Sequence, residues 1–121
     1  MSKKKILVIE DREEMRILYN AIFRKEKEID IFQTRTAEEG LTQIEIEKPD
    51  LIIVDVSLPG MNGLQFTHSV KRKYPDIKIL IVTAYEKERY LKGAVEAGAD
   101  DLVVKGSITE LLRIVKKLLI S

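Results

Sequence analysis

The stretch that decides the fold is residues 51–55, Leu51-Ile52-Ile53-Val54-Asp55, an apolar run that ends in an aspartate. Continuous short runs rich in β-branched residues are typical of strands buried on both faces of a parallel sheet. Further runs of the same character predict more such strands at residues 6–9, 79–82 and 102–104. Residues 29–31 instead alternate as Ile29-Asp30-Ile31, which indicates an edge strand with one face in water.

Helical periodicity fills the segments between these runs. The last segment is the clearest, because its apolar residues recur at the i, i+3, i+4 and i+7 positions of one helix face. Those residues are Ile108, Leu111, Leu112, Val115, Leu118 and Leu119. The same spacing predicts the core faces of three other helices. These residues are Met15, Leu18 and Ile22 in the first helix, Phe66, Val70 and Tyr74 in the third, and Leu91, Ala94 and Val95 in the fourth. Strands and helices therefore alternate, which predicts an α/β fold with helices on both faces of a doubly wound parallel sheet.

Two helix starts carry the signature of a capping box. Ser107 precedes Glu110 by three residues at the start of the last helix, and Thr36 precedes Glu39 in the same way at the second. Pro49 then ends the second helix just before the run at residues 51–54.

Length and charge limit the classes of protein that the chain can belong to. Its 121 residues predict one domain over residues 1–121. With 21 Lys and Arg against 20 Asp and Glu, the chain has no global field that would attract nucleic acid or an anionic membrane. It contains no cysteine, which excludes thiol chemistry and thiolate metal sites. No apolar run approaches the roughly 18 residues of a membrane span, so we expect a cytoplasmic protein.

Polar residues follow the predicted strands at the edge where ligands bind in sheets of this kind. They are Glu10 and Asp11 after the first strand, Asp55 after the third, Thr83 and Ala84 after the fourth, and Lys105 after the fifth. Two carboxylates about 4 Å apart repel by roughly 4 kcal/mol at an effective dielectric constant near 20. A divalent cation together with the Lys105 ammonium would compensate three acids gathered there.

The donor types favour Mg2+ over zinc, because the ligands are hard oxygens with no His or Cys among them. Magnesium commonly takes one or two carboxylates together with phosphate oxygens, so we expect a phosphoryl group as the substrate. Asp55 is then another metal ligand or the nucleophile. A plainer alternative for Asp11 is a capping box with Glu14.

These motifs together resemble the receiver domain of bacterial two-component response regulators, the CheY-like superfamily. The resemblance covers essentially the whole chain. Its motifs are Glu10-Asp11, Asp55 with residues 57–63 (Ser-Leu-Pro-Gly-Met-Asn-Gly), Thr83-Ala84, residues 98–101 (Gly-Ala-Asp-Asp) and Lys105. It implies a five-stranded flavodoxin-like sheet of order 2-1-3-4-5, which agrees with an edge position for residues 29–31.

The resemblance also implies a function. Asp55 would accept a phosphoryl group from the phosphohistidine of a sensor histidine kinase or a phosphotransfer protein, in a Mg2+-dependent reaction. The domain would then change conformation to regulate an output domain or target protein. It would catalyse its own phosphorylation and dephosphorylation, but it would not be a turnover enzyme. The implied metal ligands are Glu10, Asp11, Asp55 and the carbonyl of Ser57, and the implied phosphoryl-binding groups are Lys105, the Thr83 hydroxyl and the Ala84 N–H.

The chain departs from the family pattern at two positions. Leu102 stands where the family usually has a tyrosine or phenylalanine that reports activation. Gly106 stands where a proline with a cis peptide bond is common, so the sequence leaves open whether the Lys105–Gly106 bond is cis or trans. We also raise the hypothesis that Tyr85, two residues after Thr83, shields the acyl phosphate from water.

Three other functions compete with the phosphoacceptor. A flavodoxin-like cofactor binder would need a Ser, Thr or Gly-rich phosphate loop after the first strand, where Asp11-Arg12-Glu13-Glu14 stands instead and would repel a phosphate. A hydrolase with an aspartyl nucleophile would need a second aspartate at the position of Ser57. A degenerate receiver that only docks proteins would keep the fold without phosphorylation. The sequence leaves open whether the chain forms a homodimer. It also leaves open whether the chain is a piece of a DNA-binding regulator.

Overall fold

The computed structural model describes residues 3–84 and 87–120. Strands and helices alternate along the chain, as the sequence predicts. The elements are β1 (Lys4–Ile9), α1 (Glu13–Phe23), β2 (Ile29–Thr34), α2 (Ala37–Glu47), β3 (Leu51–Asp55), α3 (Gly63–Lys73), β4 (Lys78–Thr83), α4 (Lys87–Ala97), β5 (Asp101–Val104) and α5 (Ile108–Leu119).

All strand pairs are parallel and form a five-stranded sheet of order β2-β1-β3-β4-β5. This confirms the predicted fold class, the strand order and the edge position of residues 29–31. The prediction that residues 102–104 are buried on both faces is wrong at its last residue. Because β5 forms the second edge of the sheet, Val104 keeps 38% of its surface exposed.

Each face of the sheet has its own apolar core, because successive side chains of a strand point to opposite faces. On one face, β1 contributes Ile6 and Val8, which pack against helices α1 and α5. On the other face it contributes Leu7 and Ile9, which pack against α2, α3 and α4. The two cores hold the carboxyl ends of β1, β3 and β4 side by side at one edge.

The two predicted capping boxes have different outcomes. At α2 the box is complete, since Thr36 accepts from the Glu39 N–H and the Glu39 carboxylate accepts from the Thr36 N–H. At α5 only half forms: Ser107 Oγ accepts from the Glu110 N–H at 3.1 Å. The Glu110 carboxylate instead binds Arg113, which lies one turn further along the same helix.

The core face predicted for α4 is wrong. Leu91 and Val95 are 44% and 67% exposed, and Ala94 alone of that set is buried. The helix instead turns its small residues inward: an added Cβ on Gly93 would lie 3.0 Å from Leu64 of α3. Close approach of α4 to α3 through these small residues leaves its larger apolar residues in solvent.

Two residues predicted to lie on core faces of other helices are also partly in solvent, Leu18 at 37% exposure and Ile108 at 47%. None of the helices within the described residues is long and apolar enough to cross a membrane.

Candidate functional site

Three carboxylates meet at the carboxyl ends of β1 and β3. Asp55 is the last residue of β3, Glu10 directly follows β1, and the pairing of Ile9 with Val54 brings the two strand ends level. One carboxylate oxygen each of Glu10, Asp11 and Asp55 lies within 4.8 Å of the others. Glu10 and Asp55 are buried, whereas Asp11 is exposed at the mouth of the cluster.

Lys105 joins the two buried acids. Its Nζ lies 2.9 Å from Glu10 Oε1 and 2.5 Å from Asp55 Oδ2. Burial alone would lower the pKa of Lys105, but its hydrogen bonds to Asp55 and Glu10 and the charges of both acids outweigh burial and raise the pKa. The side chain therefore remains an ammonium and neutralises part of the acidic charge.

The acid cluster shifts the pKa of its neighbours as well. Burial raises the pKa of Glu10, and the hydrogen bonds from Lys105 and from the Arg12 N–H only partly oppose that rise. Tyr19 of α1 is buried, and its burial raises the pKa of its hydroxyl. The charges of Glu10 and Asp55 raise this pKa further, so the hydroxyl stays protonated. The site is therefore an acidic pocket that favours the uptake of a positive charge.

The loop after Asp55 folds back onto its carboxylate. The Ser57 N–H donates to Asp55 Oδ1 at 2.8 Å, so this oxygen is oriented by the main chain while the other faces Lys105. The Val56 N–H donates to the Val82 carbonyl at 3.0 Å and extends the β3–β4 pairing past Asp55. These bonds fix the orientation of Asp55 before any ligand arrives.

The predicted phosphoryl-binding residues lie beside this cluster. Thr83 ends β4 fully buried, and its carbonyl accepts from the Lys105 N–H at 2.7 Å, which ties the ends of β4 and β5 together. Ala84 is exposed at the opening. Tyr85, the subject of the shielding hypothesis, lies outside the described residues.

The two positions that depart from the family pattern have definite conformations. Leu102 is 2% exposed and packs in the core shared with α4, beside Ile81 of β4. The Lys105–Gly106 peptide bond is trans, as are all peptide bonds within residues 3–84 and 87–120. Gly106 has φ +129°, a backbone conformation that side-chain-bearing residues rarely adopt.

The residues present fit a hard divalent cation. The donors are carboxylate oxygens from two neighbouring strand ends, and within the described ranges no group donates a hydrogen bond to the Asp11 carboxylate. The alternative of an Asp11 capping box does not form, because Arg12 is the N-cap residue of α1 and no side chain caps that helix. Asp11 is therefore open to a ligand from solvent.

The sequence analysis missed Arg16, and it quoted Gly63 within the 57–63 motif without giving that residue a role at the site. Arg16 of α1 donates from Nη1 to the Glu10 carbonyl at 3.0 Å. Gly63, the first residue of α3, lies against the main chain of Asp55 and Val56. The Asn62–Gln65 capping box could have indicated where α3 begins, but not how closely the helix approaches β3.

Comparison with known proteins identifies the family. The family model of the response regulator receiver domain matches residues 6–116, so the chain belongs to this family. It is 35% identical over 102 residues to sporulation initiation phosphotransferase F of Bacillus subtilis (strain 168), covering 82% of this chain and 79% of that protein. It is 32% identical over 117 residues to response regulator GacA of Pseudomonas syringae pv. syringae, covering 93% of this chain and 53% of GacA.

Solved structures agree with this membership. Response regulator TrrA of Thermotoga maritima, solved in complex with Mg2+ and BeF, superposes with a TM-score of 0.86 at 34% identity, over 95% of this chain and 98% of TrrA. A CheY-like receiver domain from Methanospirillum hungatei gives a TM-score of 0.90 at 29% identity, over 98% of this chain and 94% of that one. The chain is therefore a receiver domain of two-component, phosphorylation-mediated signalling, and nothing favours the degenerate docking module.

Some relatives are considerably longer than this chain. The chain matches 84 residues of a cyclic di-GMP phosphodiesterase of Thermotoga maritima at 42% identity, which is 69% of this chain and only 23% of that protein. It spans about half of the length of GacA. The chain therefore spans only part of the length of these two relatives.

Proposed function

We propose that Asp55 is the phosphoacceptor and that it takes the phosphoryl group from the phosphohistidine of a sensor histidine kinase or a phosphotransfer protein. The observation that carries this proposal is the setting of Asp55. Its carboxylate ends β3 with one oxygen held by the Ser57 N–H and the other 2.5 Å from Lys105 Nζ. A nucleophile oriented in this way, with a cation beside it, suits the transfer of a dianionic group.

Mg2+ is the cofactor that the acid cluster would hold. Glu10, Asp11 and Asp55 supply carboxylate oxygens, and we assign the Ser57 carbonyl as a further ligand, as the family resemblance implies. A bound Mg2+ supplies charge neutralisation on the phosphoryl oxygens. The Mg2+–BeF complex of TrrA supports a magnesium ion in the family.

The transfer itself requires little of the protein beyond positioning. An oxygen of Asp55 forms a bond to phosphorus while the bond between phosphorus and the imidazole nitrogen of the donor breaks, and the bonding electron pair leaves with that nitrogen. Lys105, already an ammonium, exchanges its contact with the Asp55 carboxylate for one with the phosphoryl oxygens. The Thr83 hydroxyl and the Ala84 N–H bind the remaining oxygens. The product is an aspartyl phosphate on this chain, and the chain does not turn over a released substrate.

The conformational response passes through Thr83 in this proposal. Thr83 and Leu102 lie near each other on the paired strands β4 and β5, and Leu102 is buried. Because Leu102 has no ring to swing inward, the response is a shift of packed aliphatic side chains around Thr83. To change the ratio of active to inactive conformation from 1:99 to 99:1, phosphorylation must stabilise the active conformation by about 5.5 kcal/mol more than the inactive one. The recipient of the signal is an output domain or target protein, and we place the reaction in the cytoplasm.

Intact-mass measurement tests the proposal. The protein is incubated with acetyl phosphate in the presence of Mg2+ and in the presence of EDTA. We expect one phosphoryl adduct with Mg2+, a strong reduction with EDTA, and no adduct on Asp55→Asn. Asp76→Asn is the matched control, since Asp76 is an exposed aspartate outside the acid cluster and should be modified like the wild type. An equal adduct on Asp55→Asn would refute the proposal.

A further inference from the structure

We propose that Arg16 is a positioning residue for the metal site: by holding the Glu10 carbonyl it fixes the peptide that leads to Asp11. This inference rests on the proposed function and adds to it a residue outside the acid cluster. Arg16 lies in the first half of α1 and is half-buried, and its Nη1 donates to the Glu10 carbonyl at 3.0 Å.

The main chain of Glu10 is held on both sides. Its N–H donates to the Thr34 carbonyl of β2 at 3.1 Å, and its carbonyl accepts from Arg16. The carboxylate has its own separate partners, with Oε1 on Lys105 and Oε2 on the Arg12 N–H at 3.1 Å. Loss of the Arg16 contact therefore frees the Glu10 carbonyl without removing any bond of the Glu10 carboxylate.

The consequence falls on Asp11. A peptide unit is planar, so the orientation of the Glu10 carbonyl also sets the Asp11 N–H and the direction in which the Asp11 α carbon lies. Within residues 3–84 and 87–120 no hydrogen bond reaches the Asp11 carboxylate. Its position therefore follows the main chain on either side of it: the Glu10 carboxylate holds the Arg12 N–H that comes after Asp11, and Arg16 holds the Glu10 carbonyl that comes before it.

The edge strand supports Arg16 in turn. Gln33 of β2 donates from Nε2 to the Arg16 carbonyl at 2.8 Å and so joins the first turns of α1 to the sheet. Gln33 Oε1 is buried, and no partner for it lies among the described residues. An unpaired buried acceptor is unfavourable, so the bond from Nε2 to the Arg16 carbonyl is what holds the amide in this orientation. The contact of α1 with β2 is therefore a specific one.

The test has to separate two effects of Arg16 on Mg2+ binding. Its guanidinium holds the Glu10 carbonyl, but its positive charge also repels a cation. Arg16→Lys keeps the positive charge but replaces the planar donor group by an ammonium on a shorter stem. Arg24→Lys is the matched control, since Arg24 is an exposed arginine at the end of α1. A difference between the two variants then reports the contact with the Glu10 carbonyl.

The measurement is the dissociation constant of Mg2+, titrated by NMR chemical shifts without any phosphodonor. We expect Arg16→Lys to bind Mg2+ roughly tenfold more weakly than the wild type, as for other residues that orient metal ligands. Arg24→Lys should bind it like the wild type, and thermal unfolding in EDTA checks that both are folded. A dissociation constant of Arg16→Lys within about twofold of the wild-type value would overturn the inference.

A second variant covers a loss of folding in Arg16→Lys. Gln33→Met keeps every charge and removes the hydrogen bond between β2 and α1. It should therefore weaken Mg2+ binding, as Arg16→Lys does, and an unchanged affinity would overturn the inference.

The rate of phosphorylation by acetyl phosphate, measured at increasing Mg2+ concentrations, distinguishes the two proposals. Arg16→Lys should raise the Mg2+ concentration that gives half of the maximal rate more than it changes the maximal rate itself. A wild type that binds Mg2+ but takes up no phosphoryl group contradicts the proposed function instead.

Discussion

The main-chain carbonyl of Asp55 lies directly against the α carbon of Gly63, where α3 begins beside the end of β3. A Cβ on Gly63 would overlap that carbonyl and lie 2.8 Å from the Val56 α carbon. Both obstacles are backbone atoms, so neither can rotate away as a side chain would. The placement of Asp55 therefore depends on the absence of a side chain at residue 63.

Gly63→Ala should destabilise the protein by about 1–3 kcal/mol, the usual cost of forcing atoms into a packed region. Urea unfolding measures this cost. Gly93→Ala is the matched control, because its new Cβ meets only the flexible Leu64 side chain, and alanine gains roughly 1 kcal/mol over glycine inside a helix. Equal stabilities of the two variants would contradict the close approach of α3 to Asp55.

Removal of the Lys105 ammonium should make the protein depend on Mg2+ for stability. In Lys105→Met the buried carboxylates of Glu10 and Asp55 lose their common cation, and loss of one partner from a buried pair costs about 3 kcal/mol. We expect a lower melting temperature in EDTA and a larger rise on addition of Mg2+ than in the wild type. A Mg2+-induced rise no larger than that of the wild type would show that Lys105 does not balance these acids.

The raised pKa of Glu10 predicts a pH dependence of the metal-free protein. A carboxyl with a higher pKa in the folded chain binds more protons there, so its contribution to stability is lost as pH rises from 4.5 through the folded pKa. Glu10→Gln cannot titrate. The wild type should therefore lose stability through Glu10 as pH rises from 4.5 toward neutrality, and the variant should not. The free energy of unfolding of the variant minus that of the wild type, measured in EDTA by urea titration, should increase over this pH range. A pH-independent difference would contradict the raised pKa.

The orientation of α4 predicts that Val95 contributes little to the core. Val95→Ala should change the free energy of unfolding by no more than about 0.5 kcal/mol, as for other surface positions. Val70→Ala in α3, which removes methyl groups from a side chain only 1% exposed, should cost about 2 kcal/mol. Similar losses in both variants, measured by urea unfolding, would place Val95 in the core.

The sheet and the acid cluster could be predicted because their signals are local. Residues 51–54 are apolar at every position since both faces of β3 are covered, and Asp55 directly follows that run. The ends of parallel strands lie at one edge, so the order of strands and helices was enough to gather Glu10, Asp55 and Lys105.

Features that depend on the approach of two elements could not be predicted in this way. The α4 core face was wrong because the periodicity of large apolar residues does not show that Gly93 and Ala94 pack closer. The Ser107 box is incomplete because Arg113 competes for Glu110. The Arg16 contact with the Glu10 carbonyl joins a side chain to a main-chain atom, and no residue pattern marks such a bond.

The position of the phosphoryl group in the chain tests the central claim most directly. Borohydride reduces an aspartyl phosphate to homoserine, which peptide mass spectrometry can locate after incubation of the wild type with acetyl phosphate and Mg2+. We predict homoserine at residue 55 and at no other aspartate. Homoserine at Asp11 would contradict the assignment of Asp55 as the phosphoacceptor, as would a phosphoryl group retained on His68, the one histidine of the sequence and an exposed residue of α3, with residue 55 unchanged.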